Sequence, residues 1–337
     1  MNQGDQIRTS LAEKEAAVFE LAAAGGKERA LADLLALVVE AARTKDFTTA
    51  ERLRERFYEI DPLALTEIIR AGEIIEEEKT ASIDQDQLKT WSELLAVLTR
   101  EEFNTVFHEM ERRNYAPEEE IASRGAITDE LYFINQGSLK VSYLKEQKEI
   151  FITTLNQGEI AGESFFTPSV WTLNLTALNP TNISVLPRKK LDCWQGQHPG
   201  LEPKLRDYYY KFSNINQLLQ TKGLERREGH RYPLSRKALV QMVDRAGKAA
   251  GPGVRADVSD ISLGGLAFVI RIAQREKVRM LLGRSLRLTI PSGGNAGRCF
   301  EGMVLAVQPL QFMDNEFVIH LKFNDHLDQE TLQAILG

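Results

Sequence analysis

The sequence predicts a multidomain α+β protein: an N-terminal helical region, a β jelly roll or barrel, a long connecting helix and a second β-barrel domain. Three observations carry that expectation. Capping residues and helix-period apolar positions fill residues 10 to about 110, and from Tyr115 the texture changes to short strands punctuated by glycine. After Gly196 a helical stretch runs to about Gly223, and a second β-rich block fills 224–324. A chain of 337 residues divides into two or three domains of ordinary size. The boundaries are drawn at 1–90, 91–200, 201–223 and 224–337.

In the helical region, Ser10 is placed to cap "LAEKEAAVFELAAA" and Gly25-Gly26 to end it. Asp61-Pro62 reads as an N-cap followed by a first-turn proline, opening "LALTEIIRAGEIIEEEK". The piece "AARTKDFTTAERLRERFYEIDP", Ala41 to Pro62, resembles one helical hairpin of a tetratricopeptide-like repeat. No second copy follows at a fixed period, so a plain bundle and a repeat array both stay open. The like-charge run Glu76 to Glu78 is expected at a solvated helix end.

In the middle block, Gly125, Gly137, Gly158 and Gly162 recur between period-two apolar stretches such as Leu131 with Phe133 and Leu139 with Val141. That is the pattern of an antiparallel barrel or jelly roll. In the last block "IPSGGNAGRCFEG" reads as a hairpin loop, because it lacks the Lys-Ser/Thr pair of a phosphate-cradling P-loop.

Charge and composition narrow the function. The net charge is -6 and the pI about 5.6, so the protein as a whole repels nucleic acid and anionic lipid, and any anion site must be local. Cys193 and Cys299 have no metal-ligand or redox spacing and are expected to be buried or partly buried thiols in a reducing compartment. The first twenty residues lack a signal-type apolar core, and "LADLLALVVEAA", Leu31 to Ala42, is too short to span a bilayer and carries Asp33 and Glu40. A soluble, cytoplasmic protein without membrane insertion is expected. The five histidines form no metal set, His320 and His326 being the nearest pair, and no nucleophile elbow, H-E-x-x-H or nucleotide-hydrolase motif occurs. Neither catalysis, nor a metal, nor a cofactor is expected.

The segments "LTREEFNTVFHEMERRNYAPEEEI", "LYFINQGSLKV" and "LNQGEIAGESFF" together resemble the cyclic-nucleotide-binding fold of the catabolite activator protein family. The resemblance implies a phosphate-binding cassette opening at Gly162-Glu163, where the glutamate takes a ribose hydroxyl and a guanidinium about ten residues later neutralises the cyclic phosphate. Here Thr172, with Trp171 beside it, stands at that place, and no Lys or Arg occurs between Lys148 and Arg188. A buried phosphate without a charge-assisted partner is poorly stabilised. The cassette is therefore read as degenerate.

The stretch "ERREGHRYPLS" sets Arg226, Arg227 and Arg231 within six residues of an acidic chain. Alone it could be a solvated patch. Downstream, "DVSDISLGGLAF" places Asp260, Ser262 and Gly265 in the pattern D-x-S-x-x-G, while Arg227 and Arg231 make R-x-x-x-R. The ordered pair resembles the PilZ domain, the bacterial receptor module for cyclic dimeric GMP, and "GRSLRLTIP", "FEGMVLAVQPL" and "EFVIHLKFND" supply alternating strands for its six-stranded barrel. Such a ligand offers two phosphates and two guanine faces, which guanidinium groups can bind bidentately or stack upon. Asp260 can accept from guanine N–H groups, Ser262 can bond phosphate or turn backbone, and Gly264-Gly265 permits close backbone approach. Arg226 precedes the R-x-x-x-R frame and adds to the local field.

The helix "LEPKLRDYYYKFSNINQLLQ" spaces Leu201, Leu205, Tyr208, Phe212, Ile215 and Leu219 alternately four and three apart, as in an a/d seam. A homodimer through 201–219 is expected, as the resemblance to the catabolite activator family also implies. The alternative is that the stripe packs on its own barrel. The function expected is a cyclic dimeric GMP receptor that converts binding into a domain rearrangement and contact with an unidentified protein partner, without DNA binding. A cAMP-responsive regulator and a nucleotide-independent scaffold stay open beside it.

Overall fold

The computed structural model describes residues 3–145, 148–212, 215, 218–219, 230–244, 247–273, 275–291, 297–310 and 315–336. Two compact units result, Met1–Glu109 and Met110–Gly337. Among the described residues no helix is long and apolar enough to cross a membrane.

The first unit is helical: α1 (Gln3–Ala23), α2 (Lys27–Arg43), α3 (Phe47–Glu55), α4 (Phe57–Ile60), α5 (Leu65–Ala81), α6 (Gln85–Thr90), α7 (Ser92–Val97) and α8 (Arg100–Glu109). Along α2, Leu31, Leu34, Val38 and Ala42 fall on one face at helical spacing and meet Leu53, Phe57, Ile68 and Ile75 in a common core. Asp46 caps α3, its carboxylate accepting from the Thr49 N–H at 3.2 Å. Three expectations are corrected here. Ser10 lies inside α1, which already begins at Gln3. Asp61 closes α4 instead of opening α5, because a turn at Pro62-Leu63 intervenes and its carboxylate accepts from the Leu63 N–H at 3.0 Å. Glu76 is not solvated: it accepts from Asn104 Nδ2 and Lys79 Nζ, each at 2.8 Å, and tethers α8 to α5.

In the second unit, eight short strands form a sandwich: β1 (Glu111–Tyr115), β2 (Glu120–Ala122), β3 (Glu130–Gln136), β4 (Ser138–Lys145), β5 (Lys148–Asn156), β6 (Ile160–Ala161), β7 (Asn174–Ala177) and β8 (Thr181–Pro187). Two antiparallel sheets, in the orders β1-β8-β3-β6 and β2-β7-β4-β5, close on a core that includes Ile134, Leu139, Val141, Leu175, Ile183 and Val185. Between β6 and β7 lies the single-turn helix α9 (Glu163–Phe166). Gly162, at φ +136°, turns the chain into it, and a Cβ there would stand 2.7 Å from the Glu130 carbonyl oxygen.

Helices α10 (Arg188–Trp194) and α11 (Leu201–Phe212) follow. Arg188 Nη1 and Nη2 donate to Glu202 at 2.8 and 2.7 Å, and its Nε donates to Asp192 at 2.7 Å. Burial pulls the Arg188 pKa down, but the bonded carboxylates leave it raised; burial pushes Glu202 up, but the guanidinium leaves it lowered. This pair seats α11 on the sandwich. The proposed seam is spent there: Leu201, Leu205 and Tyr208 are buried within the chain, and Leu219 joins the sandwich core with Ile215 against it. Among the described residues, the a/d stripe therefore packs on its own barrel. The Phe212 side chain lies outside the described residues.

Six antiparallel strands then close a barrel in the order β10-β11-β14-β13-β12-β9. They are β9 (Tyr232–Val243), β10 (Ala249–Ser262), β11 (Gly265–Arg271), β12 (Ser285–Ile290), β13 (Arg298–Pro309) and β14 (Glu316–Phe323). Strand alternation puts Phe317, Ile319, Leu321 and Phe323 inside with Leu266, Phe268, Leu288 and Val304, and turns Val318, His320 and Lys322 outward. As the sequence implies, β12 and β13 form a hairpin, Ile290 opposite Arg298. Both cysteines are exposed, against expectation. Cys299 stands on the outer side of that hairpin beside Thr289, between the inward Phe300 and the loop.

Leu205 is fully buried in this chain, so Leu205→Ala is expected to lower unfolding stability by about 2–5 kcal/mol. Urea unfolding measures the loss, and sedimentation should give the same mass for mutant and wild type. A subunit seam would show the reverse, a change of mass with folding stability intact.

Candidate functional site

Local sheet geometry brings the signature residues of the last block together. The β10–β11 hairpin turns at Leu263-Gly264, with Ser262 opposite Gly265. A bulge between Val258 and Asp260 interrupts the β10 ladders, and beyond it Asp260 pairs across to Ala267. Ala267 in turn stands opposite His320, and His320 opposite Ala306. Asp260, Ala267, His320 and Ala306 thus form one row across four strands. The small side chain of Ala267 leaves Arg231, just ahead of β9, room to reach both neighbours. Its Nη1 donates to Asp260 Oδ1 at 3.0 Å and lies 3.5 Å from His320 Nδ1.

Ser262 Oγ donates to the Gly265 carbonyl at 3.1 Å, so it closes the hairpin it sits in. Gly265 has a packing reason of its own. A Cβ at that position would fall on the Leu321 carbonyl oxygen of β14. At Gly264 the nearest atoms to such a Cβ are those of the His326 ring, at 3.6 Å, an ordinary contact. Arg226 and Arg227 lie outside the described residues.

Arg231, Ser262, Gly264 and Gly265 line a cavity of about 470 Å³, with His320, Lys322 and His326 beside them. Its opposite wall is the sandwich cassette: Gly162, Glu163, Trp171 and Thr172 face the same space. Two residue sets read from the sequence as separate sites share one cavity. That volume lies within the range of small-molecule pockets, roughly 300–1,000 Å³. A guanidinium from elsewhere in the sandwich also lines this cavity. Arg124, from the loop after β2, reaches the cavity wall, with Nη1 donating to the Leu144 carbonyl at 2.6 Å and its guanidinium 4.9 Å from the centre of the Tyr143 ring. Sequence distance concealed it, since Arg124 precedes Thr172 by most of the sandwich.

The cassette and the barrel are bonded directly. The β12–β13 ladder ends at Ser285 opposite Met303, so the edge of β13 beyond Val304 has backbone groups that β12 does not take. Segment 168–170 takes them, Val170 N–H donating to Leu305 O at 2.8 Å and Val307 N–H to Pro168 O at 2.9 Å. Arg279, on the 3₁₀ turn Arg275–Leu281, donates to the Phe165 carbonyl at 2.6 Å and to that of Ser164 at 3.4 Å. Burial and the neighbouring Arg188 hold the Arg279 pKa below its ordinary value.

Comparison with family models matches residues 225–337 to the PilZ domain and residues 112–193 to the cyclic nucleotide-binding domain. The chain carries a PilZ domain behind a cyclic nucleotide-binding domain. The closed barrel is the PilZ domain, and Arg231, Asp260, Ser262 and Gly265 lie within it. Both are ligand-binding domain families, not enzyme families. No curated protein matches significantly.

Solved structures similar to part of the chain include a cyclic nucleotide-binding domain from Methylobacillus flagellatus, 21% identical over 41% of this chain and 80% of that one, with a TM-score of 0.33. A cyclic nucleotide-binding-like protein from Brucella abortus is 17% identical over 34% of this chain and 100% of that one, at 0.31. The c-di-GMP responsive global regulator CLP of Xanthomonas campestris is 15% identical over 37% of this chain and 63% of that one, at 0.34.

The sequence pattern marked neither Arg124 nor Lys322 as cavity residues, and it marked His320 and His326 only as the nearest pair of histidines, without a metal set. Strand alternation held the signal for two of them: with Phe317, Ile319 and Leu321 inside, His320 and Lys322 must share the outer face on which Asp260 stands.

The two adjacent glycines should respond oppositely to alanine. Gly265→Ala is expected to cost about 1–3 kcal/mol through the clash with β14, whereas Gly264→Ala should leave the thermal midpoint within error of wild type. Melting curves of both variants without ligand check this.

Proposed function

We propose that the chain is a receptor for cyclic dimeric GMP, bound at Arg231, Asp260, Ser262, Gly264 and Gly265 of the PilZ domain, with Arg227 and, more peripherally, Arg226 contributed by the preceding segment. The observation that carries this is the convergence of Arg231, Asp260, Ser262 and Gly265, drawn from two distant stretches, at one edge of a closed barrel that lines a cavity. Arg231 donates through Nη1 to Asp260, while a guanidinium carries five donors in all, so a phosphate or guanine edge can be added to that pair.

The bound ligand would lie where the cassette segment meets β13, and stabilising one arrangement of the two domains would shift their equilibrium. The output in this reading is contact with a protein partner. A working cAMP site in the middle domain is the weaker reading, since Thr172 supplies no charge for the phosphate.

Titration calorimetry of the full chain with cyclic dimeric GMP should show saturable binding that Arg231→Ala weakens by at least about 2 kcal/mol, roughly thirtyfold. Arg227→Ala should weaken it by a similar amount. Absent binding, or binding indifferent to Arg231, would overturn the assignment. Equilibrium dialysis with labelled cAMP should show no saturable binding below about 100 μM, a Kd of 1 μM needing about 8 kcal/mol. Micromolar binding abolished by Glu163→Ala would establish the rival.

A further inference from the structure

The cavity that holds the PilZ signature is only half built by the PilZ domain. Its remaining wall comes from the sandwich, and the character of that wall says what it suits. Among the described lining residues, Arg124, Arg231 and Lys322 are cationic and Glu163 is the one carboxylate. In a chain of net charge -6, this is a local surplus of positive charge on the lining, with the Asp260 carboxylate pairing Arg231 beside it. Arg124 and Arg231 come from different domains, so the surplus is divided between the two walls.

Trp171 adds a second feature. Its ring lines the cavity, and its indole N–H is buried without an acceptor among the described residues. A buried donor left unpaired is costly, and indole can only donate. The position of Trp171 is fixed by the same loop that carries Arg124: Trp171 N–H donates to Ala126 O at 2.9 Å, and Gly125 N–H donates to Trp171 O at 2.8 Å. Tyr132 steadies the ring from the core, centroid to centroid 6.1 Å. A flat aromatic donor and a guanidinium thus stand on two segments bonded to each other, and both line the cavity that Arg231 also lines.

We infer that the nucleotide site is composite: Arg124 and Trp171 of the cyclic nucleotide-binding domain contact the same dianionic ligand that Arg231 of the PilZ domain holds. The degenerate cassette is then the second wall of one site, not a lost site of its own. Arg124 meets an anionic or guanine-edge group that Arg231 does not reach, and Trp171 offers an N–H donor to an acceptor on the ligand or a stacking face for a purine. The ligand class is a nucleotide with two phosphates and two bases, and a mononucleotide would occupy one wall only.

This inference rests on the cyclic dimeric GMP reading, and the experiment separates the two. Calorimetry of the full chain with cyclic dimeric GMP is run on wild type, Arg231→Ala, Arg124→Met, Arg124→Lys and Trp171→Phe, each checked by thermal melting. Arg124→Met and Trp171→Phe are each expected to weaken binding at least tenfold, with Arg124→Lys recovering part of the loss. Phenylalanine keeps the ring packing, so unfolding is not the cause of that loss. If wild type binds and Arg231→Ala weakens it while Arg124→Met and Trp171→Phe bind as wild type, the composite site is overturned and the PilZ reading stands. If wild type does not bind, the reading itself falls, and this inference with it.

Discussion

Much of the second unit depends on how the carbonyl end of one short helix is satisfied. Helix α9 has four residues and cannot bond its own last carbonyls, yet it lies at the junction of the two β domains. Guanidinium groups take those carbonyls from both sides: Arg188, from the start of α10, reaches Phe165 O at 3.4 Å, and Arg279, from the PilZ barrel, reaches the same oxygen at 2.6 Å. Burial first, and then repulsion from the Arg188 cation, lower the Arg279 pKa, and Glu202 with Asp192 offsets the repulsion through Arg188. Glu202 belongs to α11, so the same charges that fix α9 also set the connecting helix against the sandwich.

The position of the cavity follows from that junction. With α9 clamped, segment 168–170 runs along the edge of β13, and Trp171 and Thr172 come next in the chain, on the wall of the cavity that Arg231 and His320 also line. The short β12 ladder matters as much as the clamp. Had β12 run on along β13 past Met303, it would have taken the backbone groups that now bond segment 168–170. A site placed between two domains in this way has a physical consequence, since any ligand touching both walls favours one relative placement of the domains by its differential affinity.

Several residues carry two duties, and the structure separates them. Gly265 is needed by strand packing, Ser262 closes its own hairpin, and Asp260 holds Arg231 in place. None of these roles excludes ligand contact. They do mean that losing the side chain disturbs the site even before a ligand is considered, so unligated stability must accompany every affinity measurement.

The sequence by itself determined the order and class of the parts. Glycine punctuation with period-two alternation marked the two β domains, and the paired motifs at Arg227–Arg231 and Asp260–Gly265 marked the PilZ domain, because these signals are local and set by φ/ψ freedom and strand pleating. Local signals were also ambiguous. The stripe from Leu201 to Leu219 has the spacing of a subunit seam, but a helix cannot record whether its apolar face meets a neighbour or its own barrel, and only the structure shows Leu201, Leu205, Tyr208 and Leu219 buried within the chain. Glu76, in a run of three glutamates, was drawn into bonding by Asn104 twenty-eight residues later. Only the tertiary structure placed Arg124, Trp171, Arg231 and His320 around one space, since they come from four separate segments and no spacing along the chain encodes a distance between two domains. That arrangement depends on two guanidinium groups finding one short helix and on the edge of β13 finding the segment after it, a long-range coincidence of packing that sequence periodicity does not contain.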